Sequence, residues 1–402
     1  MTRTRTALII GGGITGPATA MALQKAGIDP VIYEARPAGA DGIGAFLTVA
    51  SNGIDALRTL GADKPALAAG FPTPAITLRS GTGKRLGQTR TGQTLADGTT
   101  SHTIKRADLY QVLHQEASSR GIRVEHGKRL VAAEDTGGGV RAVFADGSEA
   151  VGDVLIGCDG VHSAVRPIID PAAPAPAYAG LVNTGGYASG VRAGIELGSY
   201  EMIFGKHAFL GYAAAPGAQV WWFANLPRRD EPARGEAQAI DCDQWRSQLL
   251  ELFAGDAGPA IPLIDATPQI MAMSPIHTIA HLPAWHNGRM IVIGDAAHAP
   301  SPTSGQGASL SIEDALVLAK SLRDQPDPQA AFARFEAARR PRVERIIKWA
   351  ARINNNKAAG PVGRVLRDAM LPMILTMTAD SKALRQTYGY HIDWDAPATA
   401  AA

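Results

Sequence analysis

The sequence has little cysteine, almost no net charge and no long apolar run. Cys158 and Cys242 are the two cysteines among 402 residues, so a disulfide framework or a paired-cysteine zinc site is not expected, and a reducing compartment fits. The net charge of +2 gives no electrostatic reason to bind nucleic acid. No run reaches the ~18 apolar residues of a membrane span, and the first strand begins too early for a signal peptide. We expect a cytoplasmic protein without nucleic-acid, membrane or metal partners.

A glycine-rich turn between an apolar run and a helical pattern is the most informative feature near the N-terminus. Residues 7–10 (ALII) are typical of a buried parallel strand. GGGITG at 11–16 supplies the pattern G-x-G-x-x-G, and a predicted helix follows that ends at Gly27. A second strand at 31–33 ends in Glu34, near the spacing expected for the acid that binds a ribose hydroxyl.

This strand–turn–helix–strand unit predicts the binding of an adenine dinucleotide. The glycines let the backbone approach a pyrophosphate, and the helix N-terminus offers free N–H groups and a positive dipole end. A glycine-rich turn that binds nothing is the alternative, and the motif does not separate NAD from FAD. Arg36 is predicted to contact a phosphate or a ribose of the dinucleotide, and a solvated loop arginine is the alternative. The cofactor-binding residues predicted here are Gly11, Gly13, Ile14, Thr15, Gly16, Glu34 and Arg36.

Two later apolar runs, each typical of a buried strand, are followed by an aspartate. The run 154–156 precedes Asp159, and the run 290–293 precedes Asp295. Because open α/β sheets bind ligands at the carboxyl ends of their strands, we expect both carboxylates at one edge. Gly305-Gln306-Gly307 then opens a helix whose N-terminus faces an anion. Arg106 lies at the start of another helix, where a surface arginine is the alternative.

Residues 175–275 have a different sequence pattern, in which glycine and proline separate short aromatic segments. This pattern predicts an antiparallel sheet with one face rich in Phe, Tyr and Trp. Ordinary sheet core accounts for most of these rings, and a few line a pocket for a flat ligand. His207 is a candidate base near neutral pH, with a sheet-surface histidine as the alternative. The candidate substrate-binding residues are His207, Tyr212, Trp222 and Asn225.

Two C-terminal segments also carry expectations. The basic run 335–342 is predicted to be a solvated or carboxylate-paired helix face. The apolar run 370–377 is predicted to pack as a lid or an interface, because it is too short to cross a membrane.

Three separated motifs carry a family resemblance. GGGITG at 11–16, CDGVHSAVR at 158–166 and GDAAHAPSPTSGQG at 294–307 together resemble the single-component FAD-dependent aromatic hydroxylases, the family of 4-hydroxybenzoate and salicylate hydroxylases. Arg106 with Leu109 matches a fourth family position, and the resemblance covers about residues 1–345. In one departure, Ala35 separates Glu34 from Arg36, where many members place the basic residue directly after the acid.

The resemblance implies a fold class and a division into domains. The class is α/β, with a Rossmann-like FAD-binding domain of the glutathione reductase type, an inserted antiparallel-sheet substrate domain and C-terminal helices. The FAD-binding domain is expected to comprise residues 1–75, 99–175 and 276–330. The substrate-binding sheet is expected over 76–98 and 176–275, and the C-terminal helical segment over 331–402.

The resemblance also implies an activity. The expected enzyme is an FAD-dependent monooxygenase that consumes NADH or NADPH and inserts one oxygen atom of O₂ into an aromatic or polyketide-like small molecule through a flavin C4a-hydroperoxide. An epoxidase, a Baeyer–Villiger monooxygenase and a non-oxygenating FAD oxidoreductase or redox sensor are alternatives. The expected assembly is a monomer or a homodimer.

Site roles follow residue by residue from the resemblance. Asp295 is expected to bind the ribityl hydroxyls, and Arg106 the nearby ribityl–phosphate region. The helix after Gly305 is expected to point its N-terminus at flavin N1 and O2, and Asp159 to serve both FAD and the nicotinamide. The further cofactor contacts are Pro302, Gly305, Gln306 and Gly307, and the candidate catalytic residues are His207, Tyr212 and Pro302.

Overall fold

The computed structural model describes residues 4–37, 45–191, 194–233, 235–357, 360–378 and 381–398. Within these ranges the strands are, in chain order, β1 (Thr6–Ile10), β2 (Asp29–Glu34), β3 (Phe46–Val49), β4 (Gly70–Pro72), β5 (Ala75–Ser80), β6 (Arg85–Arg90), β7 (His102–Lys105), β8 (Arg123–His126), β9 (Leu130–Asp135), β10 (Val140–Phe144), β11 (Glu149–Gly152), β12 (Val154–Gly157), β13 (Ala177–Ser189), β14 (Tyr200–Phe204), β15 (Phe209–Ala215), β16 (Gln219–Pro227), β17 (Ser274–Thr278), β18 (His286–Asn287) and β19 (Met290–Val292).

The helices in the same ranges are α1 (Thr15–Lys25), α2 (Ser51–Leu60), α3 (Asp63–Ala68), α4 (Arg106–Ser119), α5 (Val165–Ile169), α6 (Glu236–Ala239), α7 (Cys242–Phe253), α8 (Ala260–Asp265), α9 (Gly307–Asp324), α10 (Pro328–Lys357), α11 (Pro361–Thr378) and α12 (Lys382–Tyr388). Two 3₁₀ helices, Gly294–Ala296 and Pro302–Ser304, lie between β19 and α9.

A parallel sheet with the order β18-β19-β12-β1-β2-β8 forms the centre of the molecule, and its edge strand β18 runs antiparallel to β19. Ile9 of β1 pairs with Ile156 of β12 on one side and with Ile32 of β2 on the other, and all three are fully buried. Helices cover both faces of such a sheet, which explains the continuous apolar runs in its strands. The predicted α/β fold is confirmed, and β1, β12 and β19 end side by side.

Two glycines allow the close packing at the end of β1. Gly11 has a φ of +103°, and a Cβ atom there would lie 2.6 Å from the carbonyl oxygen of Cys158. A Cβ atom on Gly16 would lie 2.1 Å from the carbonyl oxygen of Gly11. Neither position accepts a side chain, so these glycines set how β12 and α1 approach the turn.

A second, seven-stranded sheet has the order β17-β13-β16-β15-β14-β5-β6. Its pairs are antiparallel except β14 with β5, which run parallel because β5 comes from a distant part of the chain. The predicted substrate sheet is therefore antiparallel with one parallel pair. Along the chain its strands begin at Ala75 and end at Thr278, slightly beyond the predicted bounds, and the division into domains stays a prediction.

Side chains alternate between the two faces of this second sheet. On one face Trp222, Ala224 and Leu226 pack with residues of α7 and α8 in a separate buried core. On the other face Trp221 and Phe223 lie in a cluster of aromatic rings. The sheet therefore has one face that α7 and α8 cover and one face that is rich in aromatic rings.

Two three-stranded sheets complete the β structure. The sheet β11-β10-β9 contains the hairpin of β10 and β11, whose turn Gly147 closes by donating its N–H to the carbonyl of Phe144 at 2.9 Å. The sheet β3-β7-β4 connects the central sheet to the aromatic face, because Phe46 at the start of β3 packs among its rings.

The C-terminal helices correct one expectation. Arg339 is fully buried between Glu313 at 2.7 Å and Asp314 at 2.6 Å, and Arg342 is buried against Glu313. Carboxylate pairing is confirmed for these two arginines, and a solvated position is wrong, because both side chains cross the interface between α10 and α9.

Helix α11 contains the apolar run 370–377. Its Leu371 and Leu375 pack on the second sheet, whereas Met370, Met373 and Met377 on the outer side are exposed. In the part of the chain that the structure describes, no helix is long and apolar enough to cross a membrane.

Candidate active site

The turn after β1 is open on one side only. A Cβ atom on Gly13 would meet no atom within 4 Å, in contrast to the crowded positions of Gly11 and Gly16. In α1, which is described over its whole length, no side chain caps the N-terminus and no acidic residue occupies the first turn. The first N–H groups of α1 and the open side at Gly13 therefore offer an anion site of the kind that holds a pyrophosphate.

Glu34 lies over this turn, as its spacing predicts. Its carboxylate accepts hydrogen bonds from the backbone N–H of Gly12 at 2.7 Å and of Arg36 at 2.8 Å. The side chain of Arg36 is exposed. The acid is therefore held at the end of β2, where an adenosine ribose is bound in this fold, and a cofactor contact of Arg36 stays a prediction.

Asp159 follows β12 at the same edge of the sheet. One carboxylate oxygen accepts from the N–H groups of Ala164 at 2.6 Å and Val165 at 3.2 Å. The other oxygen is buried and finds no hydrogen-bond partner among the described residues. Burial raises the pKa of Asp159, although the hydroxyl of Ser163 and these N–H groups oppose the shift. A buried acceptor of this kind is expected to receive a donor from a ligand.

Arg166 links the second motif to the third, a role that the sequence does not reveal. Its guanidinium donates to the carbonyl of Ala296 at 3.1 Å and to that of Val161 at 3.0 Å. Burial lowers the pKa of Arg166, and the nearby charge of Asp159 opposes that shift. The arginine therefore fixes the strand ends that carry Asp159 and Asp295 relative to each other.

Asp295, just after β19, interacts electrostatically with Arg106. The residue is exposed to solvent, yet surrounding protein raises the pKa of its carboxyl, while the charges of His298 and Arg106 oppose the increase. The half-buried Arg106 has its pKa lowered by burial, and Asp295 acts against this shift. The two opposite charges therefore act on each other beside the strand ends, and we call this region the cofactor cleft.

The N-terminus of α9 points to the same cleft. Gly305 has a φ of +59°, and a Cβ atom there would meet nothing within 4 Å. The side-chain amide of Asn52 donates to Gln306 Oε1 at 3.0 Å. Gln306 Nε2 is buried and has no partner within the part of the chain that the structure describes. This end of an 18-residue helix thus offers a positive dipole and a buried donor to a negatively charged group.

A buried network of charged side chains holds the third motif, residues 294–307, against α9. His298 Nε2 lies 2.6 Å from Asp314 Oδ2, which also accepts from the N–H of Gly294 at 3.0 Å. Burial raises the pKa of Asp314, but the charges of His298 and Arg339 outweigh it and hold the pKa at about 2. His298 therefore holds the loop through a carboxylate on α9.

The aromatic face meets the cofactor cleft at Ala45. Its carbonyl oxygen accepts from the backbone N–H of Arg106 at 3.0 Å and from the hydroxyl of Tyr187 at 3.1 Å. The adjacent Phe46 ring lies 5.8 Å from Trp221 and 5.9 Å from Phe223, between ring centres. The predicted aromatic wall is present and borders the cleft directly.

Two predicted substrate residues point away from this wall. Trp222 is fully buried on the helix-covered face and donates from Nε1 to Thr267 at 2.8 Å. Tyr212 donates its hydroxyl to Glu201 at 2.6 Å, and burial raises its pKa. The placement of both beside a substrate is corrected, because neighbours in a strand alternate between faces.

His207 and Asn225 have different placements. His207 is exposed in the turn between β14 and β15, since the chain reverses at Gly205-Lys206. Asn225 lies on the aromatic face, where its amide donates to Asn183 Oδ1 at 2.9 Å. Pro302 is exposed in the 3₁₀ helix before α9. The structure therefore places Asn225, and not His207, among the rings, and the role of Pro302 stays a prediction.

The described residues fit FAD on several independent grounds. Open space at Gly13 follows β1, the unpartnered oxygen of Asp159 follows β12, and the unpartnered amide of Gln306 lies next to Gly307, whose Cβ position is 3.8 Å from Asp295 after β19. The described residues contain no group of three histidine, cysteine, aspartate or glutamate side chains that could hold a metal ion. The fold and these residues define a dinucleotide-binding flavoprotein.

Comparisons with known proteins agree with this class. The family model described as FAD binding domain matches residues 4–350. The chain is 33% identical over 350 residues to the aurachin C monooxygenase/isomerase of Stigmatella aurantiaca, covering 87% of this chain and 88% of the relative. It is 32% identical over 351 residues to an FAD-dependent urate hydroxylase of Klebsiella pneumoniae, covering 85% and 87%.

A solved structure extends the agreement to three dimensions. The Klebsiella pneumoniae protein HpxO, complexed with FAD and uric acid, superposes with a TM-score of 0.82 at 28% identity, covering 94% of this chain and 96% of that one. The chain therefore belongs to the family of FAD-dependent aromatic hydroxylases, and its cofactor is FAD.

Proposed function

We propose that this chain uses NADH or NADPH and O₂ to add one oxygen atom to a small, flat, electron-rich aromatic molecule that lies on the aromatic face. The observation that carries this proposal is the pair of hydrogen bonds at Ala45, which join Arg106 of the cofactor cleft to Tyr187 of the aromatic face. A ring bound against these side chains would lie next to the cleft that Asp295 and the N-terminus of α9 define.

The residues of the first motif hold the adenosine half of the cofactor. The N–H groups at the N-terminus of α1 bind the pyrophosphate, and Glu34 binds a ribose hydroxyl. Asp295 and Arg106 hold the ribityl region. Bound FAD supplies electron transfer from the nicotinamide and the activation of O₂. These proposed contacts account for why the open positions at Gly13 and Gly305 carry no side chain.

The N-terminus of α9 has a second task in this proposal. Its free N–H groups and the buried amide of Gln306 stabilise negative charge at the pyrimidine end of the flavin ring. A helix terminus is worth about 1 kcal/mol for a nearby anion and more in a partly buried site. The buried carboxylates Glu313 and Asp314 do not cancel this effect, because Arg339 and Arg342 neutralise them.

The substrate contacts come from the aromatic face. Trp221, Phe223 and Phe46 provide flat surfaces for an aromatic ring and exclude water from the reaction. Gly211 is needed for this wall, because a Cβ atom there would lie 2.3 Å from the Phe223 ring. Asn225 and Asn183 provide an amide pair that orients a polar substituent of the substrate. His207 as a base stays a prediction that its exposed position does not favour.

A substrate panel tests the proposal. The named relatives act on urate and on aurachin C, so we propose urate, aurachin C and simple phenols as the first compounds. A true substrate is expected to stimulate NADH or NADPH oxidation strongly and to yield a hydroxylated product. Nicotinamide oxidation that no member of the panel stimulates, with no oxygenated product, would contradict it.

We also propose a cytoplasmic location and a monomeric or homodimeric state. Cys158 is buried and Cys242 is exposed, and neither forms a disulfide, which fits a reducing compartment. For the domains, we propose the division given above, with the seven-stranded sheet as the substrate domain. Its strands come from residues 75–90 and 177–278, which supports an insertion in two pieces.

A further inference from the structure

His114 contacts the phosphate-binding turn from outside all three motifs. It lies on α4, where its Nε2 is 2.6 Å from the carbonyl oxygen of Gly12. A carbonyl only accepts, so the imidazole carries a proton on Nε2 and donates it. The His114 ring also packs against Tyr110, with ring centres 4.1 Å apart, which fixes the direction of this hydrogen bond.

Gly12 is held at both of its polar backbone atoms. Its N–H donates to Glu34 at 2.7 Å, and its carbonyl accepts from His114 at 2.6 Å. In a turn of three successive glycines, such bonds restrict a backbone that would otherwise sample many conformations. Glu34 belongs to the dinucleotide pattern, whereas His114 has no place in it.

The contact with His114 determines where the next N–H group points. The described peptide bonds are all trans, and the C=O and N–H of a trans peptide point in opposite directions. Because the carbonyl of Gly12 points to α4, the N–H of Gly13 points away from that helix. Gly13 is the glycine of this turn at which a Cβ atom would meet nothing within 4 Å.

The same face of α4 reaches the other end of the cleft. Arg106 and His114 lie eight residues apart, about 2.2 turns of an α-helix, and so fall within one broad stripe of its surface. Arg106 interacts electrostatically with Asp295 near the flavin end, and His114 contacts the turn at the pyrophosphate end. One helix face therefore touches both halves of the cofactor cleft.

We propose that His114 is a positioning residue for the FAD pyrophosphate, which it does not touch: it orients the Gly12–Gly13 peptide so that the Gly13 N–H donates to a phosphate oxygen. This inference rests on FAD binding by the chain. Its signature is a loss of pyrophosphate binding without a change around the flavin ring.

A matched pair of variants tests the proposal. His114→Met and His114→Gln have side chains of the same length, and only glutamine can donate a hydrogen bond. With full-length apoprotein, FAD is expected to bind about fivefold to tenfold more weakly to His114→Met, the effect of one hydrogen bond. His114→Gln is expected to stay within about twofold of the wild type, and Gln115→Ala, an exposed neighbour, to leave binding unchanged.

Two further measurements separate positioning from general damage. In His114→Met the ³¹P resonances of the bound FAD are expected to shift while the visible flavin spectrum is unchanged, and the unfolding temperature of the apoprotein reports folding independently. Equal FAD affinity in His114→Met and the wild type, or no rescue by His114→Gln, would overturn the proposal. A wild-type chain that binds no FAD would instead refute the proposed function.

Discussion

The guanidinium of Arg166 donates a hydrogen bond to the carbonyl oxygen of Ala296 at 3.1 Å, and so joins two sequence motifs that lie 130 residues apart. Both residues are buried. The link holds the ends of β12 and β19 in register, and with them the carboxylates of Asp159 and Asp295. The cofactor cleft depends on this contact even though neither residue is expected to touch FAD.

Replacement of Arg166 tests this link. Arg166→Met removes hydrogen bonds to the carbonyl groups of the buried Ala296 and the half-buried Val161. We expect the free energy of unfolding to fall by about 2–3 kcal/mol, because each buried acceptor left without a donor is costly. Urea unfolding of the apoprotein measures this. The same substitution at an exposed arginine, Arg129→Met, serves as the control, with a change within about 0.5 kcal/mol expected. Equal losses in the two variants would argue against the link.

Asp295 is the most direct test of the ribityl contact. Asp295→Ala removes an acceptor of hydrogen bonds and leaves Arg106 without its opposing charge. FAD is expected to bind at least tenfold more weakly, since hydrogen bonds to charged groups contribute about 1.5–3 kcal/mol. The ratio of flavin to protein absorbance in the purified enzyme measures the loss. Full flavin occupancy in Asp295→Ala would remove the residue from the site.

The two faces of the second sheet should respond differently to substitution. Trp221→Ala, on the aromatic face, is expected to weaken substrate binding and to uncouple nicotinamide oxidation from product formation. Tyr212→Phe, on the helix-covered face, is expected to leave coupling unchanged and to cost about 1 kcal/mol of stability through its hydrogen bond to Glu201. The ratio of product formed to nicotinamide consumed distinguishes them, and the reverse pattern would contradict the assignment of faces.

The low pKa of Asp314 predicts that the stability of the fold depends on pH. Its pKa is about 2 in the folded protein, against 3.8 for the free side chain. A depressed carboxyl pKa stabilises the fold above the unfolded value, and this contribution, on the order of 2 kcal/mol, is lost as the pH falls from about 4 towards 2. The stability difference between wild type and Asp314→Asn should therefore shrink by about 1 kcal/mol between pH 7 and pH 3. A difference that does not vary with pH over this range would argue against the ion network.

The strand ends could be predicted from the sequence because each is a local pattern. An apolar run followed by Gly11, Asp159 or Gly294 specifies a buried parallel strand and a turn within a few residues. The two faces of the aromatic sheet could not be assigned in this way. Trp221 and Trp222 are identical neighbours, and only the pairing of β16 with β13 and β15 decides which one faces the cleft. His207 lies outside the strands for a related reason, since the turn at Gly205 ends β14 before it.

Contacts between distant parts of the chain also could not be predicted from the sequence patterns. Arg339 and Arg342 belong to a basic run that is typical of a solvated helix, yet Glu313 and Asp314 draw them into the core. Arg166 and His114 likewise act on backbone carbonyls, those of Ala296 and Gly12. A backbone acceptor leaves no trace in the sequence, so only the folded structure reveals these partners.

Incorporation of ¹⁸O from ¹⁸O₂ tests the central claim most directly. The purified chain with FAD, NADPH or NADH and a substrate that stimulates nicotinamide oxidation is expected to release a hydroxylated product that carries one ¹⁸O atom, as mass spectrometry would show. The same product made in H₂¹⁸O under ordinary O₂ should carry no label. A product labelled from water, or nicotinamide oxidation that yields hydrogen peroxide and no oxygenated product, would contradict the account.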